Sequence, residues 1–402
     1  STRKASRAGS NLIQGKWGCL RSHGRSGPFS IGVCVQRVVG WYYREPIWGL
    51  SIEAGTVGQV ILTLCYEAGR VAPTMSPQPR TPLGIGLIGL GHHGSRYAKH
   101  LLQDLTDARL VAVSRRRVAS NGLPAAPTVP CYADYHELIA DPRVEAVVVV
   151  TPPALNREIC EAVAQAKKAL LVEKPLATTA EDARAIAQAA TKSGQVMMTA
   201  QTLRFDAAVT ALRERQAQVG TLQYLSLASR MEPHGMSEEG RGFSGRGCLL
   251  ETGIHLLDLV RLLTGEDIHR VSCEMDLVPP KGAERRILGR LTTGSGLLCL
   301  LDVSRVTSGR VGRVELIGNE GQLSADWCGQ RVVQVSARHG AGDWPTVAEP
   351  TVLRTLRAFV RSVRDGLPPP ITIEDGKRAV EIAEACYASA RQNGREVVVD
   401  YR

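Results

Sequence analysis

The amino-acid sequence predicts an α/β fold in two parts, a parallel sheet wrapped by helices followed by a second domain rich in strands. Three features predict it. A short apolar run, Leu83 to Ile88, meets a glycine turn and then a stretch with helical spacing, Ser95 to Leu105. Strand-like and helix-like segments alternate from there to Thr199. After Gly220 the pattern changes to β-like runs, Leu222 to Ser229, His269 to Asp276, Arg286 to Leu291, Gly296 to Val306 and Val311 to Ile317, broken by one helix.

The glycine turn reads Gly89-Leu90-Gly91-His92-His93-Gly94. In a strand-turn-helix context these glycines have separate tasks: Gly89 permits the tight turn, Gly91 lets backbone approach a pyrophosphate, and Gly94 allows close packing of helix on strand. The free N–H groups and positive dipole end of the helix, with His92 and His93 beside them, then face the phosphates. The second strand, Ala108 to Val113, runs into Ser114-Arg115-Arg116 about 20 residues past the fingerprint, where an NAD-binding chain places an acidic residue on the ribose. A hydroxyl and two guanidiniums suit a 2'-phosphate better, so NADP is the expected cofactor and NAD the alternative. The bland reading of the same arginines is a solvated strand end.

Glu145 to Val150 is nearly continuous β-branched sequence, as a parallel strand covered on both faces requires, and it stops at Thr151-Pro152-Pro153. A helix over 154–168, a strand over 169–172, the turn Glu173-Lys174-Pro175, a helix over 179–193 and a strand over 195–199 complete the alternation. Ligands bind outside the carboxyl ends of such strands, which puts Thr151, Pro152, Glu173 and Lys174 on the cofactor edge.

Composition excludes several classes. The 402 residues are 44% hydrophobic and 22% charged, the balance of a folded globular chain. No window approaches the roughly 18 consecutive apolar residues of a membrane span. The ten cysteines form no C-x-x-C pair, so no metal site is expected and the thiols read as reduced in a cytoplasmic protein. The net charge of +10 is concentrated early: residues 1–74 hold nine Lys/Arg against three Asp/Glu, which argues against a nucleic-acid surface on the fold itself. That segment also has no aspartate, three of the five tryptophans and eleven glycines. We therefore expect residues 1–80 to be an extension outside the fold, with Met75 as the natural start, ahead of a dinucleotide-binding domain over 81–202 and a substrate-binding and oligomerisation domain over 203–402.

Several further motifs follow in order: Tyr132-Ala133-Asp134-Tyr135-His136-Glu137-Leu138, Thr151-Pro152-Pro153, Glu173-Lys174-Pro175, Arg204-Phe205-Asp206, Glu251-Thr252-Gly253-Ile254-His255-Leu256-Leu257-Asp258 and Ile373-Glu374-Asp375-Gly376. With the fingerprint, they make residues 82–400 resemble the Gfo/Idh/MocA oxidoreductases, relatives of glucose-fructose oxidoreductase and inositol dehydrogenase. The resemblance implies a Rossmann domain followed by an α/β domain with a largely antiparallel open sheet. It also implies an NAD(P)-dependent dehydrogenase acting on a sugar, cyclitol or related polyol, and homo-oligomers built through that sheet. Such a family also admits a non-catalytic dinucleotide-binding sensor, or an enzyme acting on a non-sugar such as a dihydrodiol.

Oxidising a secondary alcohol requires a base for the hydroxyl proton and a geometry that presents the carbinol hydrogen to the nicotinamide. Lys174, at a strand end, is expected to hydrogen-bond the reacting oxygen. His255 is the expected base, with Glu251, spaced i, i+4 on one helix face, orienting or charge-stabilising its ring. The family more often has Asp where Glu251 stands, and His where Asn156 stands. Asp258 is the candidate for a structural hydrogen bond. Arg204 is expected to contact cofactor or substrate, with a structural salt bridge as the alternative. Arg230, Glu232, His234, Arg241 and Arg246 lie in or near a glycine-rich connection; as a cleft wall they would suit an acidic sugar, and otherwise they form a solvated loop.

Overall fold

Six strands pair in parallel into the first sheet: β1 (Leu83–Ile88), β2 (Ala108–Ser114), β3 (Cys131–Tyr132), β4 (Ala146–Val149), β5 (Ala169–Glu173) and β6 (Met197–Ala200). Their spatial order is β3-β2-β1-β4-β5-β6. The order reverses between β1 and β4, where Leu87 pairs with Val148 and Ile88 with Val149. A crevice therefore opens beyond their carboxyl ends. This is a computed structural model, and residues 81–116, 123, 126–233, 243–276 and 283–402 are described. The expectations for residues 1–80, His234 and Arg241 lie outside the described residues.

Alternation along the strands divides the apolar side chains between two faces. Val147, Val149, Leu170 and Val172 pack toward α2 (Tyr135–Ala140), α3 (Asn156–Gln165) and α4 (Ala180–Ser193). Ile85, Leu87, Val148 and Leu171 pack on the opposite face, with Tyr97 and Leu101 of α1 (His92–Gln103). Helix α4 is bounded by Thr179, whose hydroxyl accepts from Asp182 N, and by Gly194 at φ +67°.

After α5 (Ala207–Arg215) the chain builds a nine-stranded sheet. Strand β7 (Leu222–Arg230) enters it, α6 (Ile254–Thr264) intervenes, and β8 (Ile268–Met275), β9 (Arg286–Thr293), β10 (Leu298–Ser304) and β11 (Val311–Gly318) follow. Strands β12 (Gln322–Asp326), β13 (Arg331–Ser336) and β14 (Gly340–Pro345) extend it, and after α7 (Thr351–Asp365) and α8 (Ile373–Arg391) the two-residue β15 (Val397–Val398) closes the other edge. The order is β14-β13-β12-β11-β7-β10-β9-β8-β15. Only β7 and β10 run parallel, so the sheet is mixed and largely antiparallel, as expected. One face is lined by Leu225, Leu227, Leu301, Val314 and Leu316 and packs with the apolar residues of α6 and α8. The other leaves Tyr224, Leu288 and Leu300 exposed.

Strands β12 to β14 were not anticipated. The division at residue 202 also meets an exception, because Val352, Leu356, Phe359 and Val360 of α7 pack in one cluster with Ile85 and Leu87 of the first sheet. Apolar residues at i, i+4 and i+7–8 give α7 a continuous stripe, and that stripe closes the face α1 leaves uncovered.

Candidate active site

The three fingerprint glycines differ in what surrounds them. Gly89 has φ +93°, and a Cβ there would lie 2.3 Å from the Val150 carbonyl oxygen. A Cβ on Gly94 would lie 2.0 Å from the Gly89 oxygen, so this glycine lets α1 sit against the turn. A Cβ on Gly91 would meet nothing within 4 Å. Space is thus left over the backbone where the helix begins, and Gly91, its N-cap, satisfies none of the first-turn N–H groups with a side chain. No acidic residue stands in that first turn. These observations fit a dinucleotide pyrophosphate. Ser114 is buried at the end of β2, and its carbonyl accepts from Gly89 N at 3.0 Å. Arg115 is half-buried and Arg116 exposed beside it. Thr151 is half-buried and Pro152 exposed on the β4 side of the crevice, and His92 is exposed on the turn.

The Glu173-Lys174-Pro175 turn is tied to the fingerprint helix through one carboxylate. Glu173 Oε1 accepts from His93 Nε2 at 2.8 Å and from Tyr97 Oη at 2.5 Å, while Oε2 accepts from Lys174 N at 2.9 Å. Burial pushes the Glu173 carboxyl up, but the bonds from His93 and Tyr97 and the nearby charge of Lys174 carry it below the usual carboxylate range. Asn156 donates to the carbonyls of Pro175 at 3.2 Å and Leu176 at 3.1 Å, with Thr151 Oγ1 at 3.0 Å from its Oδ1. It thus pins the chain just after Lys174.

Lys174 and His255 line one cleft of about 370 Å³, together with Thr202, Asp206, Ser229, Glu251, Arg305 and Trp327 among others. The strand-end turn supplies Lys174, α6 supplies His255, and the carboxyl ends of the adjacent central strands β7 and β10 supply Ser229 and Arg305. Lys174 Nζ donates to the Glu251 carbonyl at 2.6 Å. Burial lowers the Lys174 pKa, opposed by the charges of Glu173 and Glu251. Burial also lowers that of His255 well below its ordinary value, and Lys174 and His93 push the same way.

Glu251 and Arg204 each pair with a residue other than those of their first expected roles, Arg204 in the salt bridge given as its alternative. The Glu251 carboxylate pairs with Arg305 and not with His255. Residues Leu249–Gly253 form a π-helical turn ahead of α6, and the Glu251 carboxylate closes on Arg305, Oε1 at 2.6 Å from Nη2 and Oε2 at 2.6 Å from Nε. The wider turn breaks the i, i+4 superposition that a continuous α-helix would give. His255 Nδ1 instead lies 2.9 Å from Gln201 Oε1. Arg204 does not face this cleft either: its guanidinium closes on Asp258 at 2.5 and 2.6 Å and reaches Asp375 at 3.1 Å, in a separate hollow with Arg261.

The arginines beside the glycine-rich connection are likewise engaged: Arg230 with Asp302 at 2.5 Å, Arg246 with Glu384 at 2.5 Å, and Arg310 with Glu232 at 2.8 Å. Gln201 and Arg305 were not found from sequence, because each acquires meaning only from a partner 54 positions away. Among the described residues no group of three or more His, Cys, Asp or Glu is arranged to hold a metal, and no helix is long and apolar enough to cross a membrane.

Comparison with known proteins agrees with this geometry. Residues 83–201 match the model of an oxidoreductase family with an NAD-binding Rossmann fold, and residues 215–324 match the GFO/IDH/MocA C-terminal domain, together more than half of the chain. The chain is 29% identical over 329 residues to myo-inositol 2-dehydrogenase of Thermotoga maritima, covering 77% of this chain and 96% of that protein. It is 26% identical over 331 residues to scyllo-inositol 2-dehydrogenase (NAD(+)) of Bacillus subtilis, covering 79% and 96%. The crystal structure of a probable dehydrogenase from Thermotoga maritima superposes with a TM-score of 0.69 at 29% identity, covering 79% of this chain and 99% of that one.

Proposed function

The chain belongs to the Gfo/Idh/MocA oxidoreductase family, and on that premise we propose that it moves a hydride between a nicotinamide dinucleotide and a hydroxyl-bearing carbon of an uncharged sugar, cyclitol or related polyol. The observation that carries this reading is the convergence of Lys174 and His255 on one cleft, beside the edge where the glycine turn leaves room for a dinucleotide. The catalytic unit is residues 81–402, with residues 1–80 outside it.

Gly89, Gly91 and Gly94, with the first-turn N–H groups of α1, hold the pyrophosphate, and His92, His93, Thr151 and Pro152 border it. Ser114, Arg115 and Arg116 receive the adenosine ribose, and their charge favours NADP over NAD. The bound oxidised nicotinamide supplies the hydride acceptor. Lys174 donates a hydrogen bond to the substrate hydroxyl and stabilises its alkoxide character as the carbinol hydrogen departs. His255 takes the hydroxyl proton and returns it when the reaction runs as a reduction. Because burial, Lys174 and His93 all disfavour the imidazolium, His255 is neutral and ready to accept at neutral pH.

Arg305, Arg230 and Arg246 are each neutralised by a carboxylate, which supports an uncharged polyol over a sugar acid. The exposed Tyr224, Leu288 and Leu300 support subunit contacts through the outer face of the second sheet. The seven described cysteines are free thiols, which supports a reducing, cytoplasmic compartment.

The test is a screen of inositols, neutral sugars, sugar acids and dihydrodiols with NADP+ and NAD+, read as reduced nicotinamide. Turnover of a neutral cyclitol or sugar is expected, and turnover confined to sugar acids or dihydrodiols contradicts the substrate class. Arg115→Asp should weaken NADP binding roughly ten- to a hundred-fold more than NAD binding, as loss of a charge-assisted hydrogen bond predicts. Equal effects would remove the case for NADP.

A further inference from the structure

We propose that Gln201, and no carboxylate, is the positioning residue that fixes the tautomer of His255 and thereby decides which ring nitrogen is the base. The inference rests on the reading of His255 as proton acceptor and adds a residue to it. A neutral imidazole carries one N–H, and the partner at one nitrogen leaves the other as acceptor. The amide oxygen of Gln201 can only accept, so at 2.9 Å it holds the hydrogen on Nδ1 and frees Nε2. Gln201 follows directly on β6, in the first sheet, and is 1% exposed, so the contact crosses from the nucleotide half to α6 within the interior. The amide nitrogen of Gln201 has no protein partner, which makes His255 the one hydrogen-bond partner of this side chain among the described residues.

Among the described residues, the carboxylates that line this cleft, and Glu173 next to Lys174, are engaged elsewhere. Glu251, in the π-turn, is closed by Arg305 from the residue after β10. Glu173, at the end of β5, is occupied by His93, Tyr97 and the Lys174 amide. Asp206 caps α5 through Ala208 N and accepts from Gln330. The charged or titratable donors that face His255, Lys174 from the turn after β5 and His93 from α1, both oppose its protonation. The ring's direct partner is therefore a neutral amide that orients it without stabilising its charged form. An acid limb of turnover lying below the ordinary histidine range follows.

The test compares the wild-type chain with Gln201→Met, close in size without the hydrogen bond, and with Gln201→Glu. The His255 imidazole nitrogens are assigned by 15N NMR through loss of their signals in His255→Ala. The expected results are an Nδ1-protonated ring in the wild type and a mixture of tautomers in Gln201→Met. Turnover in Gln201→Met should drop roughly 10- to 100-fold, the scale of losing a residue that orients a functional histidine, with nucleotide affinity unchanged. In Gln201→Glu the acid limb should move upward by about one pH unit or more, because a carboxylate now faces the ring. An Nε2-protonated wild-type ring, or an acid limb unmoved in Gln201→Glu, overturns the proposal. If Gln201→Met fails to melt cooperatively, Gln201→Glu and the wild-type spectrum still decide. The tautomer is read without turnover, so survival of activity in His255→Ala would sink the base assignment alone.

Discussion

Lys174 touches Glu251 through the main-chain carbonyl, whereas Arg305 holds the side chain. Glu251→Gln should therefore act mainly on stability. The pair is 8% and 17% exposed, and breaking a largely buried ion pair by neutralising one partner costs about 3 kcal/mol or more. A clear fall in melting temperature with turnover reduced less than ten-fold is expected, whereas a loss of turnover matching that of His255→Ala, at unchanged stability, would return Glu251 to the proton path. The residue types of the proposed chemistry were visible in sequence because Lys174 and His255 sit in local motifs. Their partners were not, because a π-turn, an Arg305 arriving from β10 and a Gln201 arriving from β6 leave no local signature.

At the scale of elements, the strand, glycine turn and helix over 83–105 give the sharpest separation of folding from binding. Gly91→Ala places its methyl in open space at φ −81°, a backbone any residue adopts. It should melt like the wild type and bind nucleotide more weakly. Gly94→Ala drives its methyl against the Gly89 carbonyl and should lose stability and binding together. Thermal melts and nucleotide titrations on the two variants check this, and an unimpaired nucleotide affinity in Gly91→Ala would mean the pyrophosphate lies elsewhere. Most strands were legible for the same local reason: β4 is a β-branched run, and β7 to β11 are short segments whose buried apolar residues are interleaved with polar ones. Strand β14, Gly-Ala-Gly-Asp-Trp-Pro, has two glycines and a terminal proline and earns its place only by pairing with β13.

Across the whole molecule, helices from late in the chain bind the two sheets together. Helix α7 covers β1, and the ion-pair cluster of Arg204, Asp258, Arg261 and Asp375 joins the segment after β6 to α6 and α8. The amphipathic stripe of α7 is plain in sequence, but which sheet it covers is not, since the partners lie more than 250 residues earlier. Asp375 gives this cluster a pH signature. Burial raises its carboxyl, but Arg204, the Thr372 amide and Arg261 carry it down to about 2 from an ordinary 3.8. A depressed carboxyl stabilises the fold fully above its unfolded pKa and loses that contribution as pH falls toward 2, here about 2 kcal/mol. The melting temperature should therefore drop between about pH 4 and pH 2, and less steeply in Asp375→Asn. The central claim, that the cleft shared by both halves oxidises an alcohol with His255 as base, is tested most directly by single-turnover reduction of bound nicotinamide in wild type and His255→Ala. Nucleotide affinity is measured on the same samples. The account predicts a rate lower by about 10² to 10⁴-fold with nucleotide binding intact, and near-wild-type reduction by His255→Ala across neutral pH would contradict it.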